Sequence, residues 1–133
     1  MKIGITGSQK YENKKKIKQT IFQLHQKFGN DLVIFSGGSL DGADKYAKKY
    51  ALELGCNYVE VNPSHTHKNL YSYMRENWYG KEFNMKNFFI RNKILAKSID
   101  KLIAFVHDGD IAKGTASTVK YAVEFNKKVI VIT

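Results

Sequence analysis

A glycine-rich turn between an apolar run and a helical pattern is the stretch of this chain best suited to chemistry. Residues 32–35, Leu-Val-Ile-Phe, have the length and β-branched content of a buried strand, and Gly37 and Gly38 follow them. Asp41 is suited to cap a helix that carries Asp44 in its first turn. Glycines let backbone N–H groups approach a ligand, and a helix N-terminus favours negative charge. The pattern predicts an anion site, although the same glycines also permit a tight strand-to-helix turn that binds nothing.

The elements that must position this turn alternate along the whole chain. Strands are predicted at 2–6, 32–35, 58–61, 101–106 and 128–132, and helices at 13–28, 41–54, 85–98 and from 114 onward. The last helix is expected to place Ala116, Val119 and Val123 on one apolar face. Residues 64–87 are predicted to be irregular, with a helical turn or two around 68–77.

This alternation predicts an α/β fold, a Rossmann-like three-layer sandwich with a five-stranded parallel sheet in the order 3-2-1-4-5. Ligands of such sheets lie outside the carboxyl ends of the strands, where the strand order reverses. The loops expected there are 7–10, 36–41 and 107–115, and each contains glycine together with hydroxyl or amide side chains. Their convergence favours a phosphate site over a plain turn.

The composition sets the class of protein. With 133 residues, 43% of them hydrophobic and 26% charged, residues 1–133 are expected to form one soluble domain. No apolar run approaches the roughly 20 residues that span a bilayer, so no membrane association is expected. A lone cysteine, Cys56, has no partner for an internal disulfide, and a cytoplasmic location is the default.

The formal net charge of +10 raises the question of a nucleic-acid partner. Nearly all of it comes from lysine, since Arg75 and Arg91 are the two arginines of the sequence. The lysines fall on outward helix positions and not on one stripe, which favours a solvated surface over a DNA groove. Nucleic acid therefore remains the less favoured partner, behind a small molecule.

Several short motifs occur in a recognisable order over nearly the whole chain. They are Thr6-Gly7-Ser8, Gly37-Gly38 followed by Gly42-Ala43-Asp44, Arg91-Asn92, and Gly114-Thr115. This order resembles the SLOG superfamily, Rossmann-like domains related to the LOG and DprA proteins. The branch it is most similar to is the YspA/YpsA-related group, small proteins often met in bacteria and phages. The resemblance implies a nucleotide or nucleotide-derived ligand and leans towards a homodimer or higher oligomer.

The resemblance also implies which residues touch the ligand. The candidate ligand-binding residues are Gly7, Ser8, Gln9, Gly37, Gly38, Ser39, Asp44, Arg91, Asn92, Gly114 and Thr115. Gly114 and Thr115 are expected to hold phosphate at the N-terminus of the last helix. Arg91 is expected to be partly buried because Phe88, Phe89 and Ile90 precede it, and a partly buried arginine needs an anion.

The sequence departs from the enzymes of the superfamily at one position. LOG enzymes end a glycine-rich loop in Gly-Thr-x-x-Glu, whose glutamate is catalytic in cleaving the N-glycosidic bond of nucleoside monophosphates. Here Thr118 stands in its place, and Glu124 lies further along the helix. A carboxylate near the ribose would still be needed, and Asp44, Asp108 and Glu76 stay open as candidates. Binding is therefore favoured over hydrolysis, and the catalytic residues are left unassigned.

Other signals are weaker. Neither a P-loop nor a G-x-G-x-x-G motif is present, and no cofactor is expected. His65 and His67 would need His107 and Asp108 to complete a metal site, so no metal is expected either. The aromatic stretch 71–89 suits a lid that stacks on a base equally well as packing or a dimer contact.

Overall fold

A computed structural model of the chain describes residues 1–107, 111 and 113–133. Its strands are β1 (Lys2–Gly7), β2 (Val33–Ser36), β3 (Asn57–Glu60), β4 (Lys101–Phe105) and β5 (Lys128–Ile132). Its helices are α1 (Lys14–Phe28), α2 (Gly42–Glu53), α3 (Lys86–Ser98) and α4 (Lys113–Glu124). All strand pairings are parallel and the strand order is β3-β2-β1-β4-β5, which confirms the predicted Rossmann-like fold.

Two apolar clusters cover the two faces of the sheet. On one face, Ile17 and Ile21 of α1 and the alanines of α2 pack against Ile3 and Ile5 of β1. On the other face, α3 and α4 pack over a second cluster that includes Phe35. The alanines of α2 belong to the first cluster, and at the start of this helix the Ala43 N–H donates to the Ser8 carbonyl in the loop after β1.

The buried face of α4 differs from its prediction. The helix buries Thr115, Thr118 and Ala122. Val119 of the predicted face packs against the core. Ala116 is exposed and Val123 is 60% exposed, so the prediction was wrong for these two residues. Threonine can replace an apolar residue there because its hydroxyl is satisfied within the helix, as Thr118 Oγ1 donates to the Gly114 carbonyl at 3.2 Å.

The chain between β3 and α3 also differs from its prediction. Helical turns around 68–77 were wrong except for a single 3₁₀ turn at Glu76–Trp78. The Glu60 N–H donates to the Tyr71 carbonyl at 2.9 Å, and the Tyr73 N–H donates to the Glu60 carbonyl at 2.8 Å. Residues 71–73 are therefore held extended beside the end of β3, where they cover the edge of the sheet. Within the part of the chain that the structure describes, no helix combines the length and apolarity needed to cross a membrane.

Candidate ligand-binding site at the carboxyl edge of the sheet

The loop after β1 supports the start of α2. The Ser8 N–H donates to the Phe105 carbonyl at 3.0 Å, and the Ser8 carbonyl accepts the Ala43 N–H at 3.2 Å. The Ser8 hydroxyl accepts the Lys10 N–H at 3.0 Å, so it closes its own turn. Ser8 is buried and Gln9 is exposed. Of these two predicted ligand residues, Gln9 is the one whose side chain is open to a ligand.

The same loop explains two glycines. A Cβ at Gly7 would collide with the Phe105 carbonyl, and a Cβ at Gly42 would collide with the Ser8 carbonyl. Gly42 also has a positive φ of +63°, a conformation that side-chain-bearing residues rarely adopt. These glycines are required by close backbone packing between the loop and α2, whatever the ligand.

The glycine-rich turn after β2 uses its N–H groups within the protein. The Gly38 N–H donates to Ser36 Oγ at 3.2 Å, and the Ser39 N–H donates to Asp44 Oδ2 at 3.1 Å. Asp41 occupies the N-cap position as predicted, but among the described residues its side chain makes no capping hydrogen bond. The sequence predicted an anion on these N–H groups, and in the structure the anion that Ser39 meets is the carboxylate of Asp44.

Arg91 reaches this turn from α3. Its Nη1 donates to the Gly37 carbonyl at 2.7 Å and to the Val61 carbonyl at 3.4 Å, and its Nε donates to Asn92 Oδ1 at 2.9 Å. A Cβ at Gly37 would collide with the guanidinium and lie 3.1 Å from Asp44 Oδ2. Position 37 must therefore be glycine for Arg91 and Asp44 to approach the turn together. Arg91 is half-buried, in agreement with the prediction from its apolar neighbours.

Burial shifts the pKa values of both Asp44 and Arg91. Burial raises the pKa of Asp44 to about 6, and the Glu60 charge adds to the rise. The positive charge of Arg91 and the Ser39 N–H oppose it. Burial also lowers the pKa of Arg91, but a guanidinium stays charged at neutral pH. The edge of the sheet therefore holds one permanent cation and one carboxyl that changes charge near pH 6.

A buried acid that the sequence did not reveal lies beneath the turn. Glu60 is 1% exposed, and Lys48 Nζ lies 2.9 Å from its Oε1. Tyr58 OH donates to the same oxygen at 3.0 Å, while Oε2 accepts the side-chain amides of Asn62 at 3.0 Å and Asn69 at 2.7 Å. Burial alone would raise the pKa of Glu60, but these hydrogen bonds and Lys48 outweigh it and lower that pKa. One sequence signal existed, a lone acid at the end of an apolar strand.

The Glu60 cluster connects to the glycine-rich turn. Tyr58 OH lies 2.6 Å from Ser36 Oγ, which accepts the Gly38 N–H. Because the Tyr58 hydroxyl donates to Glu60, it must accept from the Ser36 hydroxyl. The Gly38 N–H, the Ser36 hydroxyl and the Tyr58 hydroxyl therefore form a chain of donors that ends at the Glu60 carboxylate. Gly38 has a φ of +76°, and a Cβ there would lie 2.8 Å from Asn62 Nδ2. The turn is thus fixed from below by a satisfied polar network.

The N-terminus of α4 is tied to α3. Asn92 is buried and its Nδ2 donates to the Gly114 carbonyl at 3.4 Å. Thr115 is buried as well, while Gly114 is exposed. Asn92 therefore joins Arg91 to the last predicted loop. Asp108, one of the predicted carboxylate candidates, lies outside the described residues.

The other carboxylate candidates lie elsewhere. Glu124 ends α4, about 15 Å along the helix axis from its start. The Glu76 side chain is 85% exposed and lies 3.9 Å from Lys68 Nζ in the segment beyond β3. Thr118 is buried and supplies no acid. Within residues 1–107, 111 and 113–133, Asp44 is the candidate acid that reaches this edge.

His65 and several aromatic residues pack against neighbouring rings, whereas His67 is exposed. His65 contacts the rings of Phe83 and Phe88 at centroid distances of 4.7 and 4.9 Å, and its Nδ1 lies 3.1 Å from Asn87 Nδ2. No group of three or more histidine, cysteine, aspartate or glutamate side chains in the described part of the chain can hold a metal ion. Tyr71 packs on Tyr58 at 5.6 Å. Packing therefore accounts for part of the aromatic stretch.

Two open grooves lie on the segment between β3 and α3, beside the predicted edge and not on it. One, of about 660 Å³, is lined by His67, Lys68, Asn69, Leu70, Glu76, Tyr79 and Gly80. The other, of about 640 Å³, is lined by Tyr73, Met74, Arg75, Asn77, Trp78 and Lys81. We call the second one the aromatic groove. No prediction from the sequence had assigned a groove there, although the same aromatic residues had been considered as a lid.

Solved structures share this fold. The chain superposes on a DNA processing protein A from Helicobacter pylori, described as binding single-stranded DNA, with a TM-score of 0.70 and 22% identity over 98% of this chain. The chain spans 64% of that protein's length. A molybdenum cofactor binding protein from Rippkaea orientalis gives a TM-score of 0.72 and 24% identity, with coverage of 98% of this chain and 74% of that one. At these identities the likeness concerns the fold.

A further structure of the same kind is the molybdenum cofactor carrier protein from Chlamydomonas reinhardtii. It gives a TM-score of 0.67 and 21% identity, covering 98% of this chain and 74% of that one. Comparison with curated proteins finds no match. A family model, YAcAr, described as the YspA, cpYpsA-related SLOG family, matches residues 1–67, just over half of the chain. The resemblance drawn from the glycine motifs is thereby confirmed, and the chain belongs to the YspA, cpYpsA-related SLOG family.

Proposed function

We propose that this protein binds a phosphorylated nucleotide or nucleotide-derived small molecule at the carboxyl ends of β1, β2 and β4. The observation that carries the proposal is the position of Arg91. A half-buried guanidinium donates to the Gly37 carbonyl at 2.7 Å, beside the Asp44 carboxyl and at the edge where parallel sheets bind their ligands. Hydrogen bonds through Asn92 extend this arrangement to Gly114 at the start of α4.

The two charged groups have complementary uses. Among the described residues, Nη2 of Arg91 has no hydrogen-bond acceptor, and a guanidinium pairs well with phosphate oxygens. Asp44 offers acceptor oxygens to ribose hydroxyls. An ionised Asp44 repels phosphate, and because burial raises the pKa of Asp44 to about 6, this repulsion weakens as the pH falls through that value.

The family and the structural neighbours support a ligand site on this fold. Two neighbours are described as molybdenum cofactor proteins and one as a single-stranded DNA binder. Cleavage of an N-glycosidic bond at the same site is the second candidate function, since Asp44 places one carboxyl at this edge. Its test is release of free base from a nucleoside monophosphate.

The test of binding is a thermal-shift screen at pH 5.5 and 7.5. Its probes are mono-, di-, tri- and cyclic nucleotides, NAD derivatives, ribose 5-phosphate and a short single-stranded DNA. A ligand at 100 times its dissociation constant adds about 2.7 kcal/mol to the free energy of unfolding. We expect phosphorylated nucleotides to stabilise the protein, and DNA alone, with an effect that fades as salt rises, would indicate a nucleic-acid binder instead.

The nucleotide affinities of two variants, Arg91→Lys and the control Lys93→Ala, test whether binding occurs at this site. Arg91→Lys keeps the charge but loses the fork geometry, so we expect at least a tenfold loss of nucleotide affinity. Arg91→Ala is less suitable, because it would also leave the Gly37 and Val61 carbonyls without their donor and cost about 1–3 kcal/mol of stability. Lys93 is exposed on the same helix, and its removal should leave affinity unchanged at moderate salt. Equal affinities of wild type and Arg91→Lys would refute the proposal.

A further inference from the structure

We propose that the aromatic groove holds the base of the nucleotide whose phosphate Arg91 binds. This inference rests on the proposed function and assigns a site to the base, the part of the ligand that does not bind at the carboxyl edge. The groove has a volume of about 640 Å³, within the range of small-molecule sites. Two aromatic rings, Tyr73 and Trp78, line it together with the cations Arg75 and Lys81.

The rings of the groove are held in place before any ligand binds. Trp78 Nε1 donates to the Asn62 carbonyl at 3.0 Å, which fixes the plane of the indole. The Tyr73 ring lies edge-on to Phe35 at a centroid distance of 5.4 Å, and the Tyr73 backbone is bonded to Glu60. Tyr73 nevertheless stays 46% exposed and Trp78 is half-buried. Ordered rings with open surface are what base stacking requires, since little conformational entropy is lost on binding.

The groove adjoins the Arg91 site through two consecutive residues. Arg91 donates to the Val61 carbonyl and Trp78 donates to the carbonyl of Asn62, the next residue, about 3.8 Å further along the Cα trace. Phe35, which Tyr73 contacts, belongs to the core cluster that packs under α3, the helix that carries Arg91. The groove and the guanidinium therefore flank the same strand ends. The inference requires one ligand of nucleotide size to reach both.

The charges of the groove select an anion with an acceptor-rich base. In the described part of the chain, no carboxylate lines the groove, whereas Arg75 and Lys81 bring two positive charges. Both side chains are donors only, so they pair with ring nitrogens and carbonyl oxygens of a base. Guanine offers two such acceptors, N7 and O6, on one edge. We therefore use GMP as the probe nucleotide.

The sole tryptophan of the chain provides the readout, because Trp78 lies in the groove. GMP should quench its fluorescence on binding, since the base stacks on the indole. Ribose 5-phosphate, which has no base, should bind at Arg91 without quenching, and should displace GMP in competition. Both probes are followed independently by thermal shift.

Tyr73→Leu and Phe83→Leu form the matched pair of variants. Tyr73→Leu removes a stacking surface, so we expect about a tenfold loss of GMP affinity with unchanged affinity for ribose 5-phosphate. Phe83 is 64% exposed outside the groove, and its substitution should change neither affinity. Equal affinities for GMP and ribose 5-phosphate, with constant Trp78 fluorescence, would overturn this inference and leave the proposed function standing. If GMP quenched Trp78 equally well in Arg91→Lys, the inference would also be overturned. The groove would then bind the base independently of the phosphate site at Arg91. No binding of either probe would overturn this inference, and the proposed function would then be decided by the wider nucleotide screen.

Discussion

Replacing Asp44 by asparagine should make the protein more stable at neutral pH. The carboxyl lies half-buried against the glycine-rich turn, and its pKa of about 6 exceeds the usual value of 3.8 because burial penalises the charged form. Asparagine has the same shape, keeps an oxygen that accepts the Ser39 N–H and carries no charge to bury. The substitution therefore removes the free-energy cost of burying a charge and keeps the hydrogen bond from the Ser39 N–H.

The size of the effect follows from the change in pKa. A difference of roughly two pKa units at about 1.36 kcal/mol each gives about 3 kcal/mol. Water that reaches the half-buried carboxyl reduces this to about 1–3 kcal/mol. Between about pH 4 and pH 6 the folded protein holds this proton more tightly than the unfolded chain does, so folding stability from Asp44 falls as pH rises through that range. Below pH 4 both states are protonated, and the wild type and the variant should differ little.

Urea unfolding at pH 4 and at pH 7.5 measures this difference. For a protein of this size we expect the midpoint of Asp44→Asn to lie roughly 1 M above the wild type at pH 7.5 and to coincide with it at pH 4. Asp41→Asn is the control, because Asp41 is exposed at the N-cap of the same helix. Removing the Asp41 charge should not raise the free energy of unfolding and should lower it by up to about 1 kcal/mol, because a favourable interaction with the helix dipole is lost. A gap that is independent of pH, or a variant less stable than wild type at pH 7.5, would refute the reasoning.

Two further substitutions test the support beneath the site. Gly38→Ala should lower the free energy of unfolding by about 2–4 kcal/mol, because the turn needs a φ of +76° and a Cβ would press on the Glu60 carboxylate. Gly80→Ala has a similar φ of +79° but no described atom within 4 Å of a Cβ, so urea unfolding should show a loss of only about 1 kcal/mol. Glu60→Gln should be less stable than wild type at pH 7 by about 1–3 kcal/mol, since it removes the charge partner of Lys48, whose partly exposed ammonium is in part compensated by water. Because hydrogen bonds and Lys48 lower the pKa of Glu60 despite burial, its contribution is lost as the pH falls through that lowered pKa, and the two proteins should converge in unfolding measurements in acid. A Glu60→Gln deficit that is the same at both pH values would contradict this account.

The arrangement of strands could be predicted because it depends on local patterns and general rules. Short apolar runs separated by amphipathic helices describe buried parallel strands, and right-handed crossovers leave few possible orders. The strand order 3-2-1-4-5 followed from these rules and was confirmed. Glycine positions also carried information, since Gly7 and Gly42 are required by backbone contacts at the predicted edge.

The partners of the polar groups could not be predicted in the same way. Glycine-rich turns look alike whether a ligand or a side chain accepts their N–H groups, and here Asp44 accepts the Ser39 N–H. Glu60 obtains its partners from α2, from β3 and from the irregular segment, residues that no local pattern connects. Backbone hydrogen bonds with Glu60 hold residues 71–73 extended, which is why a local propensity for helical turns failed there.

The candidate ligand residues differ in the same way, because some of their side chains bond within the protein. Arg91 was singled out by its apolar neighbours, and its contact with the Gly37 carbonyl joins two of the predicted loops. The Ser8 hydroxyl and the Asn92 amide proved to bond to other parts of the protein, which shows how short polar side chains serve the backbone near a site. Their roles toward a ligand, like that of Thr115, stay predictions for the binding experiments.

The two edges of the sheet are unequal, and this limits how copies of the chain can join by strand pairing. At β3 the outward N–H and C=O groups of Glu60 are already bonded to residues 71–73. At β5 the Ile132 carbonyl points towards β4, where it accepts the Val106 N–H, so by alternation Val129 and Val131 direct their backbone groups outward. Association of the described sheet through its edges would use β5 on both copies. Pairing of β5 with β5 would give a closed pair, and the bonded backbone of Glu60 shortens the edge that β3 offers to a further copy.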